Sequence, residues 1–119
     1  MTLSHVYVAG FFDGEGTVGL YWNKSTKYWE PVVGIELRRE RRTAQLLRIL
    51  SDRYGTKVYY GANICRFRIR QRKLIRRFIK DILVHTTLKR VQLELLDSWL
   101  INEAYSYRVH QVLKSLKRR

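Results

Sequence analysis

At 119 residues the chain is sized for one domain, and its 45% hydrophobic content supports a packed core and excludes wholesale disorder. Lysine and arginine number 24 against 10 aspartates and glutamates, a net charge of +14, and such a field favours a polyanion, with nucleic acid as the first candidate. A single cysteine, Cys65, excludes an internal disulfide, and His5, His85 and His110 are too scattered for a zinc finger. No apolar run approaches the roughly 18 residues of a membrane span, so a soluble intracellular protein is expected.

The first predicted element is a helix from His5 to Phe12 with Ser4 as its N-cap, stopped by the permissive dihedrals of Gly14 and Gly16 so that Glu15 projects from the exit. A glycine inside a helix costs about 1 kcal/mol relative to alanine. Gly10, with Gly14 one turn later, therefore predicts a face that another backbone approaches closely. Thr17 to Trp22 and Tyr28 to Arg39 read as a hairpin around the turn Asn23-Lys24-Ser25-Thr26-Lys27. Pro31 predicts an edge position or an irregularity in the second strand. Val33, Ile35 and Leu37 share its core face, which leaves Val32, Gly34, Glu36 and Arg38 outward.

Helical spacing of Leu46, Leu47, Ile49, Leu50 and Tyr54 predicts a second helix over Arg41 to Tyr54, ended by Gly55. A second hairpin follows, with strands Thr56 to Tyr60 and Ile64 to Arg70. In the latter Cys65, Phe67 and Ile69 form one face and Arg66, Arg68 and Arg70 the other, an arginine row with about 7 Å between neighbours. Such a row suits a groove, with major-groove guanines and phosphates as targets. The parity of Lys57 to Tyr60 is ambiguous, and the third strand is left unassigned. Gln71 to Leu83 reads as a third helix and Leu88 to Tyr107 as a fourth, continued by an amphipathic tail ending in Lys117-Arg118-Arg119. The expected class is α+β: one domain over residues 1–119, αββαββα(α), with a four-stranded antiparallel sheet covered on one face by helices.

The run Ala9-Gly10-Phe11-Phe12-Asp13-Gly14-Glu15-Gly16 resembles the motif of the LAGLIDADG homing endonucleases, and the predicted order resembles a single domain of that family over nearly the whole chain. The resemblance implies that two such helices cross at a two-fold axis, with Gly10 and Gly14 at the seam. Because the motif occurs once, it implies a homodimer on a palindromic or near-palindromic site of double-stranded DNA. It implies Glu15 as ligand of an essential Mg²⁺, with the Gly14 carbonyl sharing the metal; Mn²⁺ would substitute, and Ca²⁺ would support binding without cleavage. Asp13 matches the more structural first acid.

Leu88-Lys89-Arg90-Val91-Gln92 resembles the family segment that supplies a catalytic lysine, here Lys89, and Arg39 stands where relatives often carry glutamine. By the same resemblance the outward sheet face lies in the major groove. Tyr21, Asn23, Lys24, Tyr28, Glu30, Val32, Gly34, Glu36, Arg38, Arg66, Arg68 and Arg70 are then the expected DNA contacts, with Glu36 accepting from cytosine and Val32 touching a thymine methyl. The implied activity is site-specific double-strand cleavage. The alternative is a catalytically inactive binder of the same fold, an RNA-splicing maturase or a transcriptional regulator; retention of Glu15 and Lys89 favours the nuclease.

Overall fold

A computed structural model gives the fold for residues 3–117; Arg118 and Arg119 of the basic tail lie outside the described residues. Helix α1 (His5–Glu15) starts where its sequence predicts, with the Ser4 hydroxyl accepting the Tyr7 N–H at 3.1 Å. It runs most of a turn further than expected, taking in Gly14 and Glu15. Gly16 is extended (φ −77°, ψ 156°), so a left-handed dihedral does not end the helix. What glycine provides there is space, since a Cβ at Gly16 would meet Cγ, Cδ1 and the carbonyl oxygen of Phe12 at 2.5 Å. The chain can therefore pass straight from helix to strand over the Phe12 ring.

Strands β1 (Gly16–Asn23) and β2 (Tyr28–Arg38) form the first hairpin, and β3 (Val58–Tyr60) and β4 (Ile64–Ile69) the second, in one antiparallel sheet of order β1-β2-β4-β3. Pro31 faces Leu20 in a central strand, yet β4 pairs with β2 only from Val33 onward. Pro31 therefore lies beyond the end of β4, on a stretch of β2 that is an edge on that side. The edge position predicted for it is what the structure shows, with no irregularity in the β1–β2 register.

Helix α2 (Arg41–Tyr54) has the predicted bounds and stops at Gly55, whose φ of 68° is left-handed. A Cβ at Gly55 would meet nothing within 4 Å, so Gly55→Ala isolates the backbone cost. It is expected to lose about 1 kcal/mol, read as a fall in Tm of roughly 4 °C.

The core lies between the sheet and helices α1, α2, α3 (Arg72–Ile82) and α4 (Arg90–Asn102), with a short 3₁₀ turn at Leu83–His85. Val33, Ile35, Leu37, Cys65, Phe67 and Ile69 are all buried, as their alternation predicts. Phe78 of α3 sits at the centre, its ring 5.4 Å from Phe12, 5.3 Å from Tyr54 and 6.0 Å from Phe67. The Tyr54 hydroxyl donates to Asp81 at 2.7 Å, and burial together with that carboxylate raises its pKa above the usual tyrosine value.

The order α-β-β-α-β-β-α-α is as expected, but the predicted fourth helix through Tyr107 is two helices. It breaks after Asn102 and resumes as α5 (Ser106–Lys117) past Tyr105, whose φ is 56°. No glycine or proline marks the break; tertiary contacts make it. Arg72 donates to Glu103 at 2.9 and 3.1 Å, and the Trp99 indole donates to Ser106 at 2.8 Å. Helix α5 then turns back along the outer edge of β1, where His110 Nδ1–H donates to the Leu20 carbonyl at 2.6 Å and Leu113 joins the core. No described helix is long and apolar enough to cross a membrane.

Candidate functional site

The last turn of α1 carries Asp13, Gly14 and Glu15 in sequence. Glu15 is exposed at the helix end, and no basic residue lies in that turn. A helix C-terminus bears partial negative charge, so a carboxylate there faces an environment suited to a cation. Asp13 has a different task. One of its carboxylate oxygens accepts the Thr87 N–H at 2.8 Å and the other the Lys89 N–H at 3.0 Å. It thereby satisfies free donors at the start of α4 and fastens the Lys89 segment to the motif helix.

The Lys89 backbone is thus held to the turn that carries Glu15, a link the sequence does not reveal because 76 residues separate Asp13 from Lys89. Replacing Asp13 by alanine is expected to cost about 1 kcal/mol, as loss of a helix cap does. Hydrogen exchange should show that loss as faster exchange confined to the Thr87 and Lys89 amides.

Arg39 is placed differently. Its N–H donates to the Asn63 carbonyl at 2.8 Å, its Nη1 donates to the Gly61 carbonyl at 2.9 Å, and its guanidinium stacks on Tyr60 at 5.2 Å. These partners lie in the β3–β4 hairpin, on the flank of β2 away from β1.

The other predicted contacts spread over the outward sheet face. Tyr21, Tyr28, Glu36, Arg38, Arg68 and Arg70 are exposed, and Arg66 and Val32 are half-buried. Lys24 is exposed in the first hairpin turn, where Asn23 acts as a brace: its Oδ1 accepts from Ser25 and Thr26 N–H at 2.9 and 3.2 Å, and its Nδ2 donates to Glu30 at 2.8 Å. An open groove of about 420 Å³ crosses this face, lined by Tyr21, Glu30, Val32, Glu36, Arg68 and Arg70, with Lys117 entering from α5.

The face is not a plain row of like charges. Arg66 pairs with Glu36 across the β2–β4 register and lies over the Tyr59 ring at 5.6 Å. Tyr59 is therefore a member of this face. Three β-formers in succession, Val58, Tyr59 and Tyr60, hid its parity, which only pairing with β4 settles.

Gly10 and Gly14 are both exposed, and a Cβ at either would meet nothing within 4 Å. Their neighbours Val6 and Tyr7 are 61% and 53% exposed.

No family model matches the sequence, and no curated protein does. Solved structures do match. The homing endonuclease I-CvuI, in complex with an I-CreI target in the presence of Mg and with its DNA not cleaved, aligns with a TM-score of 0.79 over 94% of this chain and 80% of its own, at 13% identity. I-TnaI, another homing endonuclease, gives 0.67 over 99% and 98% at 23% identity. I-GzeII, a LAGLIDADG homing endonuclease in complex with its DNA target, gives 0.71 over 94% of this chain and 41% of its own, at 21% identity. The chain has the LAGLIDADG fold. It spans less than half of I-GzeII and nearly all of I-TnaI. On the LAGLIDADG fold α1 is the motif helix, and β1, β2, β4 and β3 are its four-stranded sheet.

Proposed function

We propose that the protein is a LAGLIDADG homing endonuclease that acts as a homodimer and makes a metal-dependent double-strand cut at a palindromic or near-palindromic DNA site. The observation that carries this reading is the Asp13 bridge. It holds the Lys89 segment against the acidic end of α1, beside a sheet whose outward face carries arginine. Glu15, exposed and without a cationic partner among the described ion pairs, is the carboxylate that this reading uses to hold metal beside phosphate.

A divalent cation suits the donors present. Among the described residues no group of three or more His, Cys, Asp or Glu is placed to hold a metal, so one protomer does not form a cage. Mg²⁺ is usually held by one or two carboxylates together with waters and substrate phosphates. Glu15 and the Gly14 carbonyl, from each of two copies, would provide such a hard-oxygen set. When bound, the cation supplies acidification of water and neutralisation of charge developing on the phosphate. Lys89 adds a positive charge at the same end of α1, and the outward sheet face fixes the duplex in register. The exposed Gly10 and Gly14, with open space before them, support the close approach of a second α1.

The test is incubation of the purified protein with a library of palindromic duplexes in Mg²⁺, Mn²⁺ or Ca²⁺, with binding followed in parallel. Double-strand cuts at a defined sequence in Mg²⁺ and Mn²⁺, with binding alone in Ca²⁺, are expected. Tight sequence-selective binding without cutting in any of the three would replace this reading with that of an inactive binder.

A further inference from the structure

One rung of the outward sheet face differs in kind from the next. Glu36, Arg66 and Tyr59 are direct neighbours across β2, β4 and β3. Glu36 accepts from Arg66 Nε, and the guanidinium carbon lies 5.6 Å from the centre of the Tyr59 ring. In the adjacent rung Arg68 faces Gly34, where a Cβ would come within 3.0 Å of Arg68 Cγ and 2.6 Å of the Phe67 carbonyl. The ion pairs among the described residues give neither Arg68 nor Arg70 a carboxylate. One arginine is therefore held on two sides, and its neighbours in the row are not.

We propose that Arg66 is a guanine-reading residue, and that Glu36 and Tyr59 are positioning residues that hold its guanidinium for end-on readout. The assignment rests on the DNA-binding part of the reading above. A guanidinium has five N–H donors in a fixed fork. With Nε given to Glu36, the two terminal nitrogens remain, and a parallel pair of donors matches the O6 and N7 acceptors of guanine in the major groove. The acid and the aromatic plane remove rotamer freedom before binding, so less ordering is required when the base is met. The Arg66 side chain is 32% exposed, so it is not sealed from the groove. In this proposal Glu36 changes role: with one carboxylate oxygen given to Arg66 Nε, it orients a donor in place of reading cytosine. Arg68 and Arg70, which share the groove with Glu30 and Glu36 but pair with neither, are left to phosphates.

The experiment is selection of bound sequences from a randomised duplex pool by the full chain, by Glu36→Gln and by Arg66→Gln, with thermal melting of all three. The unaltered protein should require guanine at one position of each half-site. Arg66→Gln should lose that preference, with discrimination falling about 5-fold to 100-fold at that position alone, the range of one bidentate pair. Glu36→Gln should split two readouts: discrimination at the same position falls, while affinity for unrelated DNA holds or rises because a negative charge has left the face. A structural role would lower melting and both readouts together.

A G·C preference that disappears in Glu36→Gln but persists in Arg66→Gln would overturn the proposal in favour of direct reading of cytosine by the acid. A consensus unchanged in both variants would overturn it while leaving the endonuclease reading intact. An unaltered protein that selects no sequence would overturn both.

Discussion

Glu15→Gln is expected to abolish cleavage while leaving DNA binding and folding in place. Glutamine preserves the shape of the side chain and removes its charge, and Glu15 lies exposed at the end of α1, outside the packed core. A metal that polarises phosphate and activates water lowers the barrier by several kcal/mol, and each 1.36 kcal/mol is tenfold in rate. Single-turnover cleavage should therefore fall by at least about a thousandfold, with an unchanged melting temperature and equal or tighter binding, since each protomer loses a negative charge near phosphate. A variant that cuts at the normal rate would remove Glu15 from the metal site. One that neither cuts nor binds would show that the residue serves the duplex contact instead.

The largest effect on stability is expected from Phe78→Ala. Its ring is fully buried and meets Phe12 of the motif helix, Tyr54 of α2 and Phe67 of β4. Truncation removes contacts to three elements at once and leaves a cavity that no single neighbour can fill. Such a change costs about 3–5 kcal/mol, against a total stability of roughly 5–15 kcal/mol for a domain. Melting followed by circular dichroism should fall by more than about 10 °C. A shift of only a few degrees would mean that α1 and α3 collapse together over the gap. DNA affinity at low temperature should change little, because the ring lies on the opposite side of the sheet from the arginines.

What could be read in the sequence was local. Helix α2 was delimited correctly because its apolar spacing, its start and the left-handed Gly55 all lie within its own fifteen residues. The two faces of β2 and β4 followed from strict alternation, which needs no knowledge of the partner strand. What escaped depended on distant contacts. The break before α5 is set by Arg72 on Glu103 and by Trp99 on Ser106; the local hint was Glu103, polar at the phase where Leu96 and Trp99 predict a buried side chain. Tyr59 joins the outward face only through its pairing with Arg66, and the contact of Glu36 with Arg66 likewise depends on the pairing of β2 with β4. Of the candidate site, Glu15 and Lys89 are named from short motifs, whereas the Asp13 bridge to the Lys89 backbone joins residues 76 apart and leaves no local signature. Arg39, named for its position at the end of the second strand, bonds to the second hairpin, a contact that local sequence does not show.

The packing of α5 along the outer edge of β1 also fixes a ruler. A covered margin on one side and a three-residue β3 on the other leave little edge for strand addition. The sheet cannot widen, and its reach is set by its longest member. Eleven residues of β2, at roughly 3.4 Å each, span about 37 Å. A duplex rises about 3.4 Å per base pair, so on the proposed reading each protomer would follow roughly eleven base pairs, and lengthening the half-site would require a longer β2 and its hairpin, not another strand.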